Sequence, residues 1–150
     1  MKTHTCLHSL RLLLAAIMFP LLLWTAGCSH SDLWDDVPGT IAEFLNQYFP
    51  YSELSSVTES GSNYHIRIDD GPGLTFDQTY SWIAIDGYGM PLPQVLLFDQ
   101  LPPRLYDYLQ ETEQLNGVFS MERNKVYYVL TLLDSSLKYT IHSGEMTTKL

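Results

Sequence analysis

Two stretches of the sequence, 64 residues apart, carry the same pattern of apolar residues. Pro38, Ile41, Phe44 and Leu45 are each matched 64 positions later, in the order Pro, Leu, Tyr, Leu. The same offset, shortened by one residue at its end, relates seven further pairs: Leu54 and Val118, Val57 and Met121, Tyr64 and Tyr128, Ile66 and Leu130, Ile68 and Leu132, Leu74 and Leu137, and Phe76 and Tyr139. A repeat of this length predicts an internal duplication, with two units of the same fold in tandem.

Each unit begins with a helical pattern and continues with strand patterns. Ile41, Phe44, Leu45 and Tyr48 have the spacing of one helix face, between a proline that suits the first turn and another that ends the helix. The period then changes to two, because SNYHIRI is apolar at every second residue, and the shorter runs ELSSVTE, LTFD and SWIAID complete the set. We therefore expect an α+β fold made of a tandem repeat of two units, each one helix followed by an antiparallel sheet of about four strands.

The repeat divides most of the chain into two predicted units, at residues 37–89 and 101–150. Between them, residues 90–100 contain prolines and the apolar run VLLF, so we expect a packed linker with a short buried turn or helix. Residues 28–36 are polar and acidic apart from Leu33 and Trp34, which predicts a tether in front of the first unit.

Residues 1–27 have the pattern of an export signal. A basic start is followed by a short apolar run and then by the small residues Thr25, Ala26 and Gly27. From Leu12 to Gly27 the run has 16 residues, fewer than the ~20 of a membrane-spanning helix. It is also apolar on all sides, whereas a core helix of a soluble domain is amphipathic.

Cys28 comes directly after this signal. The sequence TAGC at residues 25–28 resembles a bacterial lipobox, whose cysteine becomes the lipid-bearing first residue of the mature protein. We expect a lipoprotein signal peptide at 1–27 and lipidation of Cys28; ordinary cleavage that leaves a free thiol is the alternative. Cys6 is removed with the signal, so no intrachain disulfide forms and core packing must hold the fold.

The charge of the mature chain excludes one class of partner. Residues 1–27 hold two of the eight Lys and Arg and none of the seventeen Asp and Glu, so their removal changes the net charge from −9 to −11. This acidity argues against binding nucleic acid or an anionic membrane surface through a basic patch. It is compatible with a basic partner, although acidic side chains mostly serve solubility.

An ordered set of short motifs resembles a family of exported bacterial proteins. The motifs are Val37-Pro38, Tyr48-Phe49-Pro50, Tyr64-His65-Ile66-Arg67-Ile68, Phe76-Asp77 and Trp82-Ile83-Ala84-Ile85-Asp86-Gly87. Together they are similar to the β-lactamase-inhibitor-like, PepSY-like proteins of Bacteroidetes, over roughly residues 34–146. The resemblance implies the repeated α+β fold, export and, in one version, inhibition of an exported hydrolase. The second unit lacks the Phe-Asp and Trp motifs, so a function tied to them belongs to the first unit.

Side chains of the predicted sheets are candidates for a partner-binding surface. Alternation puts His65 and Arg67 on the outer face of their strand, and it puts Trp82 on the same face as Asp86. An exposed Trp beside Tyr80 and charged neighbours has the chemistry of a protein interface. The alternative is a Trp82 that is half-buried against the other unit or the linker.

The strand KVYYVLTLLD of the second unit is apolar on both faces. Tyr127 and Val129 alternate with the inward side chains, so they either pack against the other unit or form an apolar binding face. They complete the set of candidate partner-binding residues.

No pattern that carries catalysis or metal binding stands out in the mature sequence. Its three histidines have no second His or Cys at metal-ligand spacing, and nucleophile-elbow and phosphate-loop motifs are absent. Asp69, Asp70 and Asp77 lack the ligand spacing of a calcium loop. We therefore expect no catalytic residues, no metal and no cofactor.

These observations lead to one expected function and two rivals. We expect a lipid-anchored, non-enzymatic module of the bacterial cell envelope, on the outer membrane and facing either the periplasm or the surface. It would bind a protein or peptide partner through its sheet face. The alternatives are a structural or assembly subunit of an envelope complex and an enzyme of unrecognised type.

Overall fold

The computed structural model describes residues Asp32–Leu150, so the predicted signal and Cys28 lie outside the described residues. The helices are α1 (Gly39–Tyr48), α2 (Gln94–Gln100) and α3 (Pro103–Glu111), with short 3-10 helices at Leu33–Asp36 and Leu115–Gly117. The strands are β1 (Leu54–Ser60), β2 (Asn63–Ile68), β3 (Gly73–Phe76), β4 (Trp82–Asp86), β5 (Ser120–Arg123), β6 (Tyr127–Thr131), β7 (Ser136–Thr140) and β8 (Met146–Lys149). No helix among these residues is long and apolar enough to cross a membrane.

All eight strands form one antiparallel sheet, in which each strand pairs with its neighbours in sequence. The chain leaves the sheet after β4, passes through α2 and α3, and returns as β5. β4 and β5 pair directly, with Ile85 opposite Met121. The two predicted four-stranded sheets are therefore a single continuous sheet.

The helices pack on one face of this sheet. α1 buries Ile41, Leu45 and Tyr48 of its predicted apolar face, and Phe44 of the same face is half-buried against the core. α3 buries Leu105 and Leu109 at the corresponding positions. These side chains join the inward residues of the strands in one apolar core, and no polar or charged residue in this part of the chain is fully buried. Close packing of apolar side chains therefore provides the main stabilisation.

A bulge in β4 changes which way Trp82 faces. Ala84 pairs with Thr75, but the next pair toward the start of the strand is Trp82 with Phe76, so Ile83 is the extra residue. Such an insertion shifts the alternation by one position. Trp82 therefore lies on the same face as Phe76 and Ile85, toward the helices, and not on the face of Asp86 as alternation had predicted.

The structure confirms the α+β class, and the alternation of β2 is as predicted. One helix followed by four strands occurs twice along the chain, with α2 as an additional helix in the predicted linker. That these two sets arose by duplication stays a prediction. The predicted tether needs correcting at its end. Leu33–Asp36 is a 3-10 helix whose first turn is capped by the Asp32 side chain, and Trp34 packs against the core. Leu33–Asp36 thus belongs to the folded domain and not to a tether.

Candidate functional site

The sheet face opposite the helices, here called the open face, is uncovered in the described part of the chain. Register places twenty strand residues on it: Ser56, Thr58, Ser60, Asn63, His65, Arg67, Gly73, Thr75, Ala84, Asp86, Ser120, Glu122, Tyr127, Val129, Thr131, Ser136, Lys138, Thr140, Thr147 and Lys149. All twenty are half-buried or exposed, whereas most of their strand neighbours on the other face are buried. The open face is therefore a broad accessible surface rich in Ser and Thr.

Charge is distributed unevenly between the open face and the rest of the chain. The open face carries Arg67, Lys138 and Lys149, which are three of the six Lys and Arg that follow residue 28. It carries only Asp86 and Glu122 of the seventeen acidic residues. The remaining surface accordingly bears the other fifteen acids and three bases. The open face is thus the least acidic large surface of a strongly acidic chain.

One half of the open face contains a shallow trough of about 450 Å³, lined by residues of β1 to β5 and by Tyr88. Tyr88 follows β4 and folds back over Gly73, where an added Cβ would lie 2.9 Å from the Tyr88 ring. The Arg67 guanidinium stacks on that ring at 3.7 Å from its centroid, and the Tyr88 backbone N–H donates to the Asp86 carboxylate. Gly73 therefore provides the space for this Arg–Tyr pair.

The other half of the open face holds the remaining candidate residues of the sheet. The Lys138 ammonium lies 4.4 Å from the centre of the Tyr127 ring, and Val129 lies between Glu122 and Lys138 in the register. Both Tyr127 and Val129 are half-buried by these neighbours. The Nδ1 atom of His65 and the Thr75 hydroxyl oxygen lie 3.2 Å apart and share a hydrogen bond. The structure therefore brings His65, Arg67, Tyr127 and Val129 onto one surface, as alternation predicts.

Trp82 does not belong to this surface. Its exposure is only 2%, and its indole N–H donates to the Gln100 side-chain oxygen of α2 at 2.7 Å. Gln100 in turn donates to the Tyr48 hydroxyl of α1, where burial raises the pKa of Tyr48. The face that alternation assigns to Trp82 is therefore wrong, because the bulge turns the side chain toward the helices. Contact with the linker segment agrees with the alternative stated from the sequence, although burial is nearly complete.

Tyr80 is also separated from the open face. It lies in the β3–β4 turn with φ at +61°, and its ring packs at 5.4 Å from that of Tyr64 on the helix side of the sheet. The side-chain hydrogen bond between the two raises the pKa of Tyr64. Tyr80 therefore neighbours neither His65 nor Trp82 in the way the sequence had suggested.

The titratable side chains of the open face are spread out. His65 and Glu122 are three strands apart, which is about 14 Å at the usual strand spacing. Arg67 and Asp86 are two strands apart, or about 10 Å, with Gly73 between them. Within Asp32–Leu150 there is also no group of three or more His, Cys, Asp or Glu that could hold a metal ion.

Sequence reasoning missed Tyr88 and Lys138 as parts of this surface. Tyr88 is outside any strand, so alternation says nothing about it; the Asp-Gly turn before it is the only local signal that the chain folds back. Lys138 could have been placed by pairing its strand with the one carrying Val129, which requires knowledge of the register.

Similarity to known proteins was found only at the level of structure. No protein-family model and no curated protein matches the chain. A proposed calcium-regulated periplasmic protein from Bacteroides thetaiotaomicron superposes with a TM-score of 0.64 at 19% identity, covering 77% of this chain and 92% of that one. A periplasmic protein of the DUF2874 family from Bacteroides vulgatus gives 0.63 at 17% identity, with the same coverage of both chains.

The chain has the fold of these Bacteroides periplasmic proteins. The resemblance read from the sequence motifs is thus confirmed for the fold. A BLIP-like protein from Bacteroides fragilis also matches, at 18% identity over 77% of this chain and 90% of that one, with a TM-score of 0.32.

Proposed function

We propose that this chain is a lipid-anchored, non-enzymatic module of the cell envelope that binds a protein partner through the open face. The observation that carries the proposal is the contrast between the two sides of the sheet. Helices cover most of one side, while the other is accessible and holds half of the mature chain's basic residues with two of its acids. A sheet face left open in this way is a natural contact surface.

The charge pattern also suggests what the partner presents. The surface outside the open face carries fifteen acidic residues and only three basic ones, so it repels an acidic protein. On the open face, the Arg67–Tyr88 pair offers a cation beside an aromatic ring, and such groups often anchor interfaces. We therefore propose a partner with an acidic or neutral contact surface. An exported hydrolase that is inhibited by this contact is the version implied by the family resemblance.

The spacing of titratable groups supports a binding role over catalysis. General acid–base and nucleophilic mechanisms require two groups within hydrogen-bond reach of each other or of one substrate atom. On the open face, His65 and the nearest strand carboxylates are separated by about 10 Å or more. The one His contact is with a threonine hydroxyl. This arrangement favours recognition by many weak polar contacts.

Export and lipid anchoring complete the proposal. The structural neighbours are periplasmic proteins, and the described domain begins four residues after Cys28. Four residues span at most about 14 Å, so a lipid on Cys28 would keep the domain close to the membrane. Mass spectrometry of the mature N-terminus tests this directly: a lipidated Cys28 is expected, and Cys28→Ser should move the protein out of the membrane fraction. An unmodified Cys28, or a mature chain that begins elsewhere, contradicts the anchor.

We also propose that the two occurrences of one helix and four strands descend from one duplicated unit. The starts of α1 and α3 lie 64 residues apart, as do those of β2 and β6, which is the offset of the apolar repeat. Expressing residues 32–89 alone tests whether a unit retains structure; we expect poor folding, because the edge of β4 would lose its partner β5.

Site-specific photo-crosslinking in the producing bacterium tests the binding surface. A photoreactive residue at Thr58 or Thr131, both exposed on the open face, should give an adduct of one defined mass. The same residue at Asn46 or Gln110, exposed on the helix side, serves as the matched control and should give none.

Charge reversal provides the second arm of this experiment. Arg67→Glu with Lys138→Glu should abolish the adduct, whereas Arg104→Glu, which removes a basic residue from α3, should leave it. Adducts that arise only from the helix side, or that persist after reversal on the open face, would show that another surface binds the partner.

The assembly role remains a second candidate, because one observation favours it. Phe98 and Val95 of α2 are 65% and 52% exposed, and the Phe98 ring packs on Tyr106 of α3 at 5.3 Å. Exposed apolar side chains on a helix layer can join subunits. Light scattering at micromolar concentration distinguishes the two roles, since a stable oligomer that Phe98→Ser dissociates is expected only for assembly.

A further inference from the structure

A small cleft of about 220 Å³ lies at the helix side of the sheet, where the β3–β4 and β5–β6 turns meet. Its lining includes Trp82, Arg123, Asn124, Lys125 and Tyr128, together with the Asp77 turn. This cleft is separate from the open face, since Arg123 pairs with Tyr128 on the helix side of the register.

Arg123 is held in one orientation by two contacts with Trp82. Its Nε–H donates to the Trp82 backbone carbonyl at 2.8 Å, and its guanidinium stacks over the indole at 4.1 Å from the ring centroid. The indole is itself fixed, by its hydrogen bond to Gln100 and by an edge-to-face contact with Tyr128. A guanidinium fixed in this way has already lost most of its rotamer freedom before any ligand arrives.

The cleft is rich in hydrogen-bond donors that have no acceptor. The two terminal amino groups of Arg123 form no hydrogen bond to any residue between Asp32 and Leu150, because its only bond there uses Nε. The Asn124 side-chain oxygen accepts from the backbone N–H groups of Val126 and Tyr127, which leaves the Asn124 amide as a donor. Lys125 adds an exposed ammonium beside them.

The one carboxylate that lines the cleft uses one of its oxygens within its own turn. Asp77 Oδ1 accepts hydrogen bonds from the Thr79 backbone N–H, the Thr79 hydroxyl and the Ser81 backbone N–H, whereas Oδ2 accepts none from residues Asp32–Leu150. Asp77 therefore closes its turn and leaves Arg123 and Lys125 as two positive charges against one negative charge. The cleft is therefore an attractive site for an anion on a chain whose net charge is strongly negative.

We propose that this cleft binds the carboxylate of an Asp or Glu side chain presented by a partner protein. A fixed guanidinium edge matches a carboxylate in a bidentate pair. The volume is below the ~300 Å³ at which pockets for small molecules begin, which favours a single side chain over a free metabolite. Chain termini are captured by free backbone N–H groups, and in both turns the Asp77 and Asn124 side chains already use these groups.

Peptide titration of the processed, detergent-solubilised protein tests the proposal, with the Trp82 indole and Arg123 Nε–H signals followed by ¹⁵N NMR. The probe is a pentapeptide with a central Glu and blocked ends, added to about 10 mM because one ion pair gives only millimolar affinity. The Glu peptide should shift both signals in a saturable way. A peptide with Gln in place of Glu, an all-glycine peptide with a free C-terminus, and inorganic phosphate should each bind about tenfold more weakly or not at all.

Variants make the test specific to Arg123. Arg123→Lys keeps the charge over Trp82 but loses the planar fork, and it should weaken the Glu peptide about tenfold. Arg104→Lys, at an exposed position of α3 outside both surfaces, is the matched control and should leave the affinity unchanged. Should Arg123→Lys impair folding, Lys125→Ala at an exposed position should still weaken binding. Equal shifts with the Glu and Gln peptides, no shift with either, or tighter binding of phosphate or of a free C-terminus would overturn the proposal.

Discussion

Replacing Trp82 by Phe tests the placement of this residue more directly than any other change. Phe fills part of the same space but lacks the indole N–H, so the Gln100 side-chain oxygen loses the donor that lies 2.7 Å away. It also presents a smaller ring to the guanidinium of Arg123 and to Tyr128. An exposed Trp82, as alternation had predicted, would make none of these contacts.

The expected cost follows from those contacts. Leaving the part-buried Gln100 acceptor without its donor costs about 1–3 kcal/mol, and the weakened ring contacts add about 1 kcal/mol. We therefore expect Trp82→Phe to lower the free energy of unfolding by about 3 kcal/mol, which for a domain of this size is roughly 10 °C in Tm. Urea unfolding followed by far-UV circular dichroism measures the change without depending on Trp fluorescence.

A second substitution shows whether the hydrogen bond carries the effect. Gln100→Leu in the Trp82→Phe background removes the unpaired oxygen, so it should cost about 1–2 kcal/mol less there than in the unsubstituted protein. Tyr51→Phe is the matched control, because Tyr51 is fully exposed and its loss of a hydroxyl should change stability by less than about 0.5 kcal/mol. A Trp82→Phe variant as stable as this control, or additive effects of the two substitutions, would refute the buried placement.

Three further predictions concern the turns and the open face. Gly73→Ala should displace the Tyr88 ring, which is free to move, so stability should change by less than about 1 kcal/mol while crosslinking through the open face falls. Gly87→Ala places its Cβ against the Met90 and Phe119 carbonyls, which are backbone and cannot yield. It should cost about 3 kcal/mol or more in urea unfolding, whereas Gly117→Ala, with open space around it, should cost little. The Thr79 hydroxyl holds the pKa of Asp77 below its ordinary 3.8. The stabilisation that comes from this lowered pKa is fully present above pH 3.8 and is lost as the pH falls through the pKa of the folded state. The Tm of Asp77→Asn should therefore decline less steeply below about pH 4 than that of the unsubstituted protein.

Helices and strands were predictable because each has a single dominant period. The i, i+3, i+4 spacing of Ile41, Phe44 and Leu45 leaves no alternative to one inward helix face, and α1 ends at Tyr48, two residues before Pro50. The alternation in β2 likewise fixed the faces of His65 and Arg67. In both cases local pattern and tertiary burial agree, so the sequence alone is sufficient.

The wrong face predicted for Trp82 has one physical cause, which is a change of register that no local pattern records. One extra residue at Ile83 reverses the face of Trp82, because the side-chain period of a strand is two. Nothing in SWIAID indicates this bulge, since either register buries one large apolar residue. The bulge is selected by tertiary contacts, namely the hydrogen bond to Gln100 and the Arg123 stack.

The single sheet explains why the open face and the Arg123 cleft could not be foreseen from one unit. Direct pairing of β4 with β5 brings Trp82 of the first half beside Arg123 of the second, 41 residues later in the chain. The same pairing continues the open face from the Arg67–Tyr88 pair to Lys138 and Tyr127. Cutting or shifting this one strand pair would therefore remove both proposed surfaces together, whereas substitutions at Arg67 or at Arg123 should affect only one. The independence of these two single changes is thus the sharpest test that the chain carries two separate binding surfaces on one sheet.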